Sequence, residues 1–304
     1  MPAIHRSPRV QQAQESGNGV VALESTVIAH GLPHPRNLEV ARSLEEEVSG
    51  YGAVPATVGV VRGKAIVGLA PDEIARLGTA AGVLKLSTRD LPVALARGLD
   101  GATTVASTMW LAHHAGVAVF ATGGIGGVHR GDGTDVSADI TELGRTPMIV
   151  VCAGAKAILD LAATREALET AGVLVVGFGT DELPGFYSRE SGLPVDVRAD
   201  TPDDVAALWQ AHRKLGAPGS LLLCAPPPAD TALPAHAVEG AIRQALAQAD
   251  ARGIRGKEVT PFLLSAVAEQ TGGKSLEANV ALLRNNARIA AQVATALAQA
   301  RWER

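Results

Sequence analysis

Short aliphatic runs alternate with helix-periodic segments along most of this chain, and that alternation most restricts how it can fold. The runs at residues 20–23, 58–61, 65–69, 83–86, 117–122, 148–152, 173–177 and 221–224 are dominated by Val, Ile, Leu and Ala and are short enough to be buried strands. Helical spacing fills most of the gaps, at 91–97, 107–115, 137–144, 156–171, 202–213 and 235–251. The pattern predicts an α/β fold with a largely parallel sheet and helices on both faces. With 3% aromatic residues, the core must be aliphatic, as buried parallel strands usually are.

Local signals refine this frame. Arg62-Gly63 between two strand runs predicts a two-residue hairpin. Val40, Leu44 and Val48, with Glu45, Glu46 and Glu47 between them, predict an amphipathic helix that ends at Tyr51-Gly52. Ser7-Pro8 reads as an N-cap with proline at the first helical position, so residues 1–19 form an N-terminal arm before a single domain spanning 20–304. Residues 260–304 read as a helical C-terminal region, broken at Gly272-Gly273 and restarted at Ser275. Segments 188–200 and 226–234 read as irregular.

A formal charge of -4 gives no general attraction to nucleic acid or to an anionic membrane, so any anion site must be local. Cys152 and Cys224 lie in apolar runs without metal-type spacing and read as buried reduced thiols. Neither a secretion signal nor a membrane-length apolar run is present, and a cytoplasmic location is expected.

Several residues could carry chemistry. Lys156 follows the 148–152 run and Ala153-Gly154-Ala155, at a strand end where α/β folds place their sites. Apolar surroundings disfavour an ammonium, and a neutral amine attacks carbonyl and sugar carbons; a surface lysine laid on apolar neighbours would look the same in this segment. Glu24 ends the 20–23 run and is either a general acid or a salt-bridged strand-end carboxylate. The loop Gly123-Gly124-Ile125-Gly126-Gly127-Val128-His129-Arg130-Gly131 lets backbone N–H groups approach an anion, with His129 and Arg130 adding charge, or is simply a tight turn.

Asp132, Asp135 and Asp139 follow that loop, with Ser137 as an N-cap. Oxygen ligands this sparse suit a hydrated Mg²⁺ or Mn²⁺, and helix capping explains the same residues. Residues 101–108 read as a turn before a helix, whose Thr103, Thr104, Ser107 and Thr108 either receive a phosphate or supply a plain cap from Ser107 or Thr108. Lys85 interrupts an apolar run and is a candidate phosphate or substrate ligand. Among Asn279, Asn285 and Asn286 at least one is a candidate reader of an amide-bearing ligand such as a pyrimidine, and plain polar surface explains the same residues.

Val21-Ala22-Leu23-Glu24-Ser25-Thr26, His30-Gly31, Gly52-Ala53-Val54-Pro55-Ala56-Thr57 and Arg89-Asp90-Leu91-Pro92 belong to a larger set of motifs. The set continues at residues 101–109, 120–131, 135–139 and 150–156, at Gly256-Lys257-Glu258, at 260–264 and at Thr271-Gly272-Gly273. Together they resemble the pseudouridine-5′-phosphate glycosidases, or indigoidine synthase A-like family, over about residues 20–298. The resemblance implies a three-layer α/β/α trimer that reversibly cleaves the C–C glycosidic bond of pseudouridine 5′-phosphate, giving uracil and ribose 5-phosphate.

By position, it makes Lys156 the nucleophile toward the anomeric carbon and Glu24 the acid toward the ring oxygen, with the ring-opened ribose held as a lysine imine. Asp135 matches the metal position, taking Mn²⁺ with Mg²⁺ or another divalent ion as a substitute. Lys85, Val105 through its backbone, Ser137, Ala138 and Asp139 match substrate contacts, and Asn279 matches a residue near the base. Thr104, Ser107 and Arg130 join them as phosphate ligands on the local argument alone. A non-catalytic sugar-phosphate binder and a lysine-imine aldolase acting on phosphosugars are the alternatives.

Overall fold

The computed structural model describes residues 4–131, 133–254 and 259–302. The segment Val20–Leu23 lies near the middle of the main sheet, and all four of its residues are buried. Successive strand residues point to opposite faces, so burial of all four requires cover on both. Ile149–Cys152 and Leu221–Cys224 are likewise buried throughout, which accounts for their uninterrupted apolar sequences.

From one edge, the sheet runs Ile4–Arg6, Lys64–Val67, Val54–Val61, Val20–Leu23, Val119–Ala121, Ile149–Cys152, Leu221–Cys224, Leu174–Phe178 and Val197–Ala199. Neighbours along this path are parallel, except where Val54–Val61 and Lys64–Val67 form a hairpin. Gly101–Thr103 branches off antiparallel to Val54–Val61 and carries Leu84–Leu86 beside it. In register, Ala22 sits opposite Ala56 and Phe120, and Phe120 opposite Val150. Helices cover the sheet in an α/β/α arrangement. The 29-residue helix Lys274–Trp302 packs on Val20–Leu23, Val119–Ala121 and Ile149–Cys152, and also meets the helices Arg36–Gly50 and Pro202–Leu215.

The hairpin forms where Arg62-Gly63 predicts it. Both residues are left-handed, with φ of 49° and 70°, which matches the twist of the strands they join. The break in the C-terminal helices falls at residues 271–273, between Val259–Gln270 and Lys274–Trp302. Gly256-Lys257-Glu258 lies outside the described residues. Among the described residues no helix is long and apolar enough to cross a membrane.

Four local expectations are corrected. The segment expected as an arm contributes a strand, Ile4–Arg6, and its helix Pro8–Glu15 sinks Val10 and Ala13 into the core. Val197–Ala199, read as irregular, is an edge strand. Gly101–Thr103, read as a turn, is a strand because two neighbouring strands supply its ladder bonds. The expected helix 156–171 begins only at Leu161, since Leu159–Asp160 is drawn into a ladder with Val128–His129 and Asp160 then caps Leu161–Thr170. In the last two cases tertiary pairing overrides local preference.

Candidate active site

Three neighbouring parallel strands end at one cavity of about 540 Å³. Val20–Leu23 delivers Glu24, Val119–Ala121 delivers Thr122 and the glycine loop, and Ile149–Cys152 leads through Ala153-Gly154-Ala155 to Lys156. The carboxyl ends of adjacent parallel strands are where such sheets bind ligands. Glu24 is 9% exposed, and its two oxygens accept hydrogen bonds from the Thr26 and Thr122 hydroxyls. Each oxygen keeps a second lone-pair position, so Glu24 is oriented without being used up.

Lys156 is half-buried in the cavity wall, and among the described residues its ammonium makes no hydrogen bond or ion pair. Its backbone is fixed instead: its N–H donates to the Ile125 carbonyl at 3.1 Å, and its own carbonyl accepts from Leu159 at 3.0 Å. The approach to it needs glycine at position 154, where φ is +87° and an added Cβ would lie 2.3 Å from the Pro184 carbonyl oxygen.

Asp139 organises the opposite wall. It is 6% exposed, and its carboxylate accepts from the Ala106 N–H at 2.9 Å and the Gly126 N–H at 2.8 Å. One side chain thereby joins the first turn of Val105–His114 to the glycine loop, a placement that suits a carboxylate at a helix N-terminus. Thr104, rather than Ser107 or Thr108, caps that helix. Such a cap contributes about 1 kcal/mol. Ser137 caps Ala138–Leu143, and Thr104, Val105, Ser137 and Ala138 all reach the cavity. Lys85, Asn279 and Asp135 line it too, Asp135 as an exposed residue.

The family model described as indigoidine synthase A like protein matches residues 9–296. The chain belongs to the indigoidine synthase A-like family. It is 58% identical to the pseudouridine-5′-phosphate glycosidase of Herpetosiphon aurantiacus, over 98% of this chain and 99% of that one. To the protein of the same name from Methylobacterium nodulans it is 54% identical, over 99% and 90%. Among solved structures, the prealnumycin C-glycosynthase AlnA, in complex with ribulose 5-phosphate, superposes with a TM-score of 0.92 at 42% identity over 100% of both chains. An indigoidine synthase A-like protein from Thermotoga maritima gives 0.89 at 35% identity, over 97% of this chain and 96% of that one.

In this indigoidine synthase A-like enzyme two of the expected ligands are committed elsewhere. Ser107 is fully buried and donates to the Leu86 carbonyl at 2.6 Å. Arg130 is absent from the cavity lining; it pairs with Glu239 at 2.6 and 2.9 Å and donates to the carbonyls of Leu159 and Ala157, both at 3.2 Å. A guanidinium with four such acceptors holds backbone rather than a diffusible anion. Asp132 lies outside the described residues.

Sequence reasoning missed the groups that steady Glu24. Thr122 ends its strand just as Glu24 ends the neighbouring one, a signal that was available. Asn286 is fully buried and donates to the Thr122 carbonyl at 2.9 Å and the Gly123 carbonyl at 3.3 Å. Nothing local separates it from Asn285, which donates to the Pro226 carbonyl instead. His30 also lines the cavity, and burial, reinforced by the Lys85 ammonium, lowers its pKa against the opposing Leu84 carbonyl. Phe186, at φ 65°, lies against Gly124 in the same wall, and no sequence signal announces that backbone.

The donor set also bears on a metal. Among the described residues no group of three or more His, Cys, Asp or Glu could hold an ion. A single exposed carboxylate at Asp135 fits only a hard divalent cation carrying most of its water, and it does not fit a closed zinc cage.

Proposed function

We propose that this enzyme is a pseudouridine-5′-phosphate glycosidase, interconverting pseudouridine 5′-phosphate and water with uracil and ribose 5-phosphate. The observation that carries the reading is the pairing in one cavity, at the ends of the two strands that flank Val119–Ala121, of an oriented carboxyl group at Glu24 with an amino group at Lys156 that meets no carboxylate among the described residues. The names of relatives at 58% and 54% identity support the substrate.

A C-glycoside has no heteroatom leaving group, so two ordinary carboxylates would not suffice. Glu24 gives a proton to the ribose ring oxygen while the neutral Lys156 amine bonds to C1′ and the C1′–O4′ bond breaks. The resulting ammonium returns a proton to the Glu24 carboxylate. The nitrogen lone pair then forms the C1′=N imine as C1′–C5 breaks, and Glu24 protonates C5 of the departing uracil. Water hydrolyses the imine, releasing ribose 5-phosphate and Lys156, and the remaining proton restores Glu24.

Lys85, Thr104 and the backbone N–H of Val105 suit the 5′-phosphate, with Ser137, Ala138 and Asp139, at the start of Ala138–Leu143, in the same cavity lining. Asn279 suits the uracil amide edge. Asp135 would hold Mn²⁺ or Mg²⁺ through water, and a bound cation would offset negative charge on substrate oxygens. A homotrimer and a cytoplasmic role in pseudouridine breakdown complete this reading. The test is release of uracil from pseudouridine 5′-phosphate by purified enzyme, followed by chromatography; no uracil beyond the enzyme-free rate would refute it.

A further inference from the structure

We infer that Arg130 is a positioning residue for Lys156, tying the lysine segment to the helix pair that closes one side of the cavity. The inference rests on the reading of Lys156 as the nucleophile. Residues 157–159 are almost fully buried, with exposures of 5%, 1% and 2%, so their carbonyls need donors from the protein. On one side the segment is anchored by the bond from Lys156 N–H to Ile125. On the other, the Arg130 Nη2 reaches the Ala157 carbonyl and Nε the Leu159 carbonyl, so the guanidinium grips the chain just after the lysine.

The remaining face of the same guanidinium meets both oxygens of Glu239. Glu239 belongs to the helix Ala235–Ala251, which packs along Val259–Gln270, and that second helix contributes Thr260, Pro261 and Leu264 to the cavity lining. A planar fork can serve two carbonyls and a carboxylate at once, and the point charge of a lysine cannot. Arg130 therefore sets the lysine and the cavity wall in one register, and Glu239 sets the guanidinium.

The experiment compares wild type with Arg130→Met, Arg130→Lys and Glu239→Ala. It measures kcat and KM on pseudouridine 5′-phosphate, the rate of borohydride trapping at Lys156 with ribose 5-phosphate, and the thermal midpoint. Arg130→Met should lower kcat and the trapping rate together by about 100-fold, the scale of a 1 Å misplacement, with KM changed less than about threefold. Arg130→Lys should recover only part of the loss, and Glu239→Ala should fall between wild type and Arg130→Met. If Arg130→Met does not fold, Glu239→Ala carries the test, because the guanidinium remains. A raised KM with kcat retained would make Arg130 a phosphate ligand and overturn the inference, as would wild-type trapping rates in every variant that folds. Failure of wild type itself to trap at Lys156 would refute the nucleophile reading, and this inference with it, before any variant is compared.

Discussion

The Asn286 amide donates to the Thr122 carbonyl at 2.9 Å, and the Thr122 hydroxyl in turn donates to Glu24. The C-terminal helix thus reaches the candidate acid through one strand-end residue, although 164 positions separate Asn286 from Thr122. Thr122→Val keeps the shape and removes the donor. It should lower kcat about 10-fold to 100-fold with KM little changed, by loosening an oriented acid. Asn286→Leu should cost about 1–3 kcal/mol in chemical denaturation by stranding buried carbonyls. Wild-type kcat in Thr122→Val would show that Thr26 orients Glu24 unaided.

Lys156→Ala should abolish uracil release while ribose 5-phosphate still binds, as measured by calorimetry. Glu24→Gln should lose about 10²-fold to 10⁴-fold in kcat, the usual contribution of a general acid, with substrate affinity kept. Turnover near wild type in either variant would remove that residue from the mechanism.

Gly126→Ala should damage both stability and turnover. The added Cβ would lie 2.2 Å from Ser137 Oγ and 2.8 Å from Asp139 Oδ2, so the bond joining the loop to Val105–His114 must open. A loss of about 1–3 kcal/mol is expected from overpacking, read from denaturant midpoints. An unchanged midpoint would show that the loop yields freely.

Chelation should lower activity in a way that added Mn²⁺ or Mg²⁺ reverses, and Asp135→Asn should weaken metal activation. Because Asp135 is exposed, the variant should melt like wild type. Full activity of the parent enzyme in excess chelator would refute the metal role.

Stability should fall on mild acidification. His30 and His113 both have pKa values lowered from the ordinary 6.5, mainly by burial; at His113 the neighbouring His114 and Arg213 add to it, against the Pro147 carbonyl and Glu142. The unfolded chain then binds protons more readily than the native one. Their contribution is present above 6.5 and lost as pH falls through the lowered native values. Thermal midpoints from about pH 8 to about pH 5 should therefore drop on the acid side, the range in which histidines titrate. His113→Asn should flatten part of that drop, and an identical profile in the variant would refute a contribution from His113.

The sequence by itself determined the fold class, the hairpin at Arg62-Gly63, the helix break near Gly272-Gly273 and the strand ends that carry Glu24 and Lys156. These follow from apolar periodicity and turn chemistry, which act over a few residues. Only the tertiary structure decided which polar side chains face the cavity. Ser107 turned to the Leu86 carbonyl and Arg130 to the Lys156 segment, while Asn286, indistinguishable in sequence from Asn285, came to hold Thr122. The physical reason is that a buried polar group goes wherever its hydrogen bonds can be satisfied, and here the partners lie on strands and helices that only folding brings together.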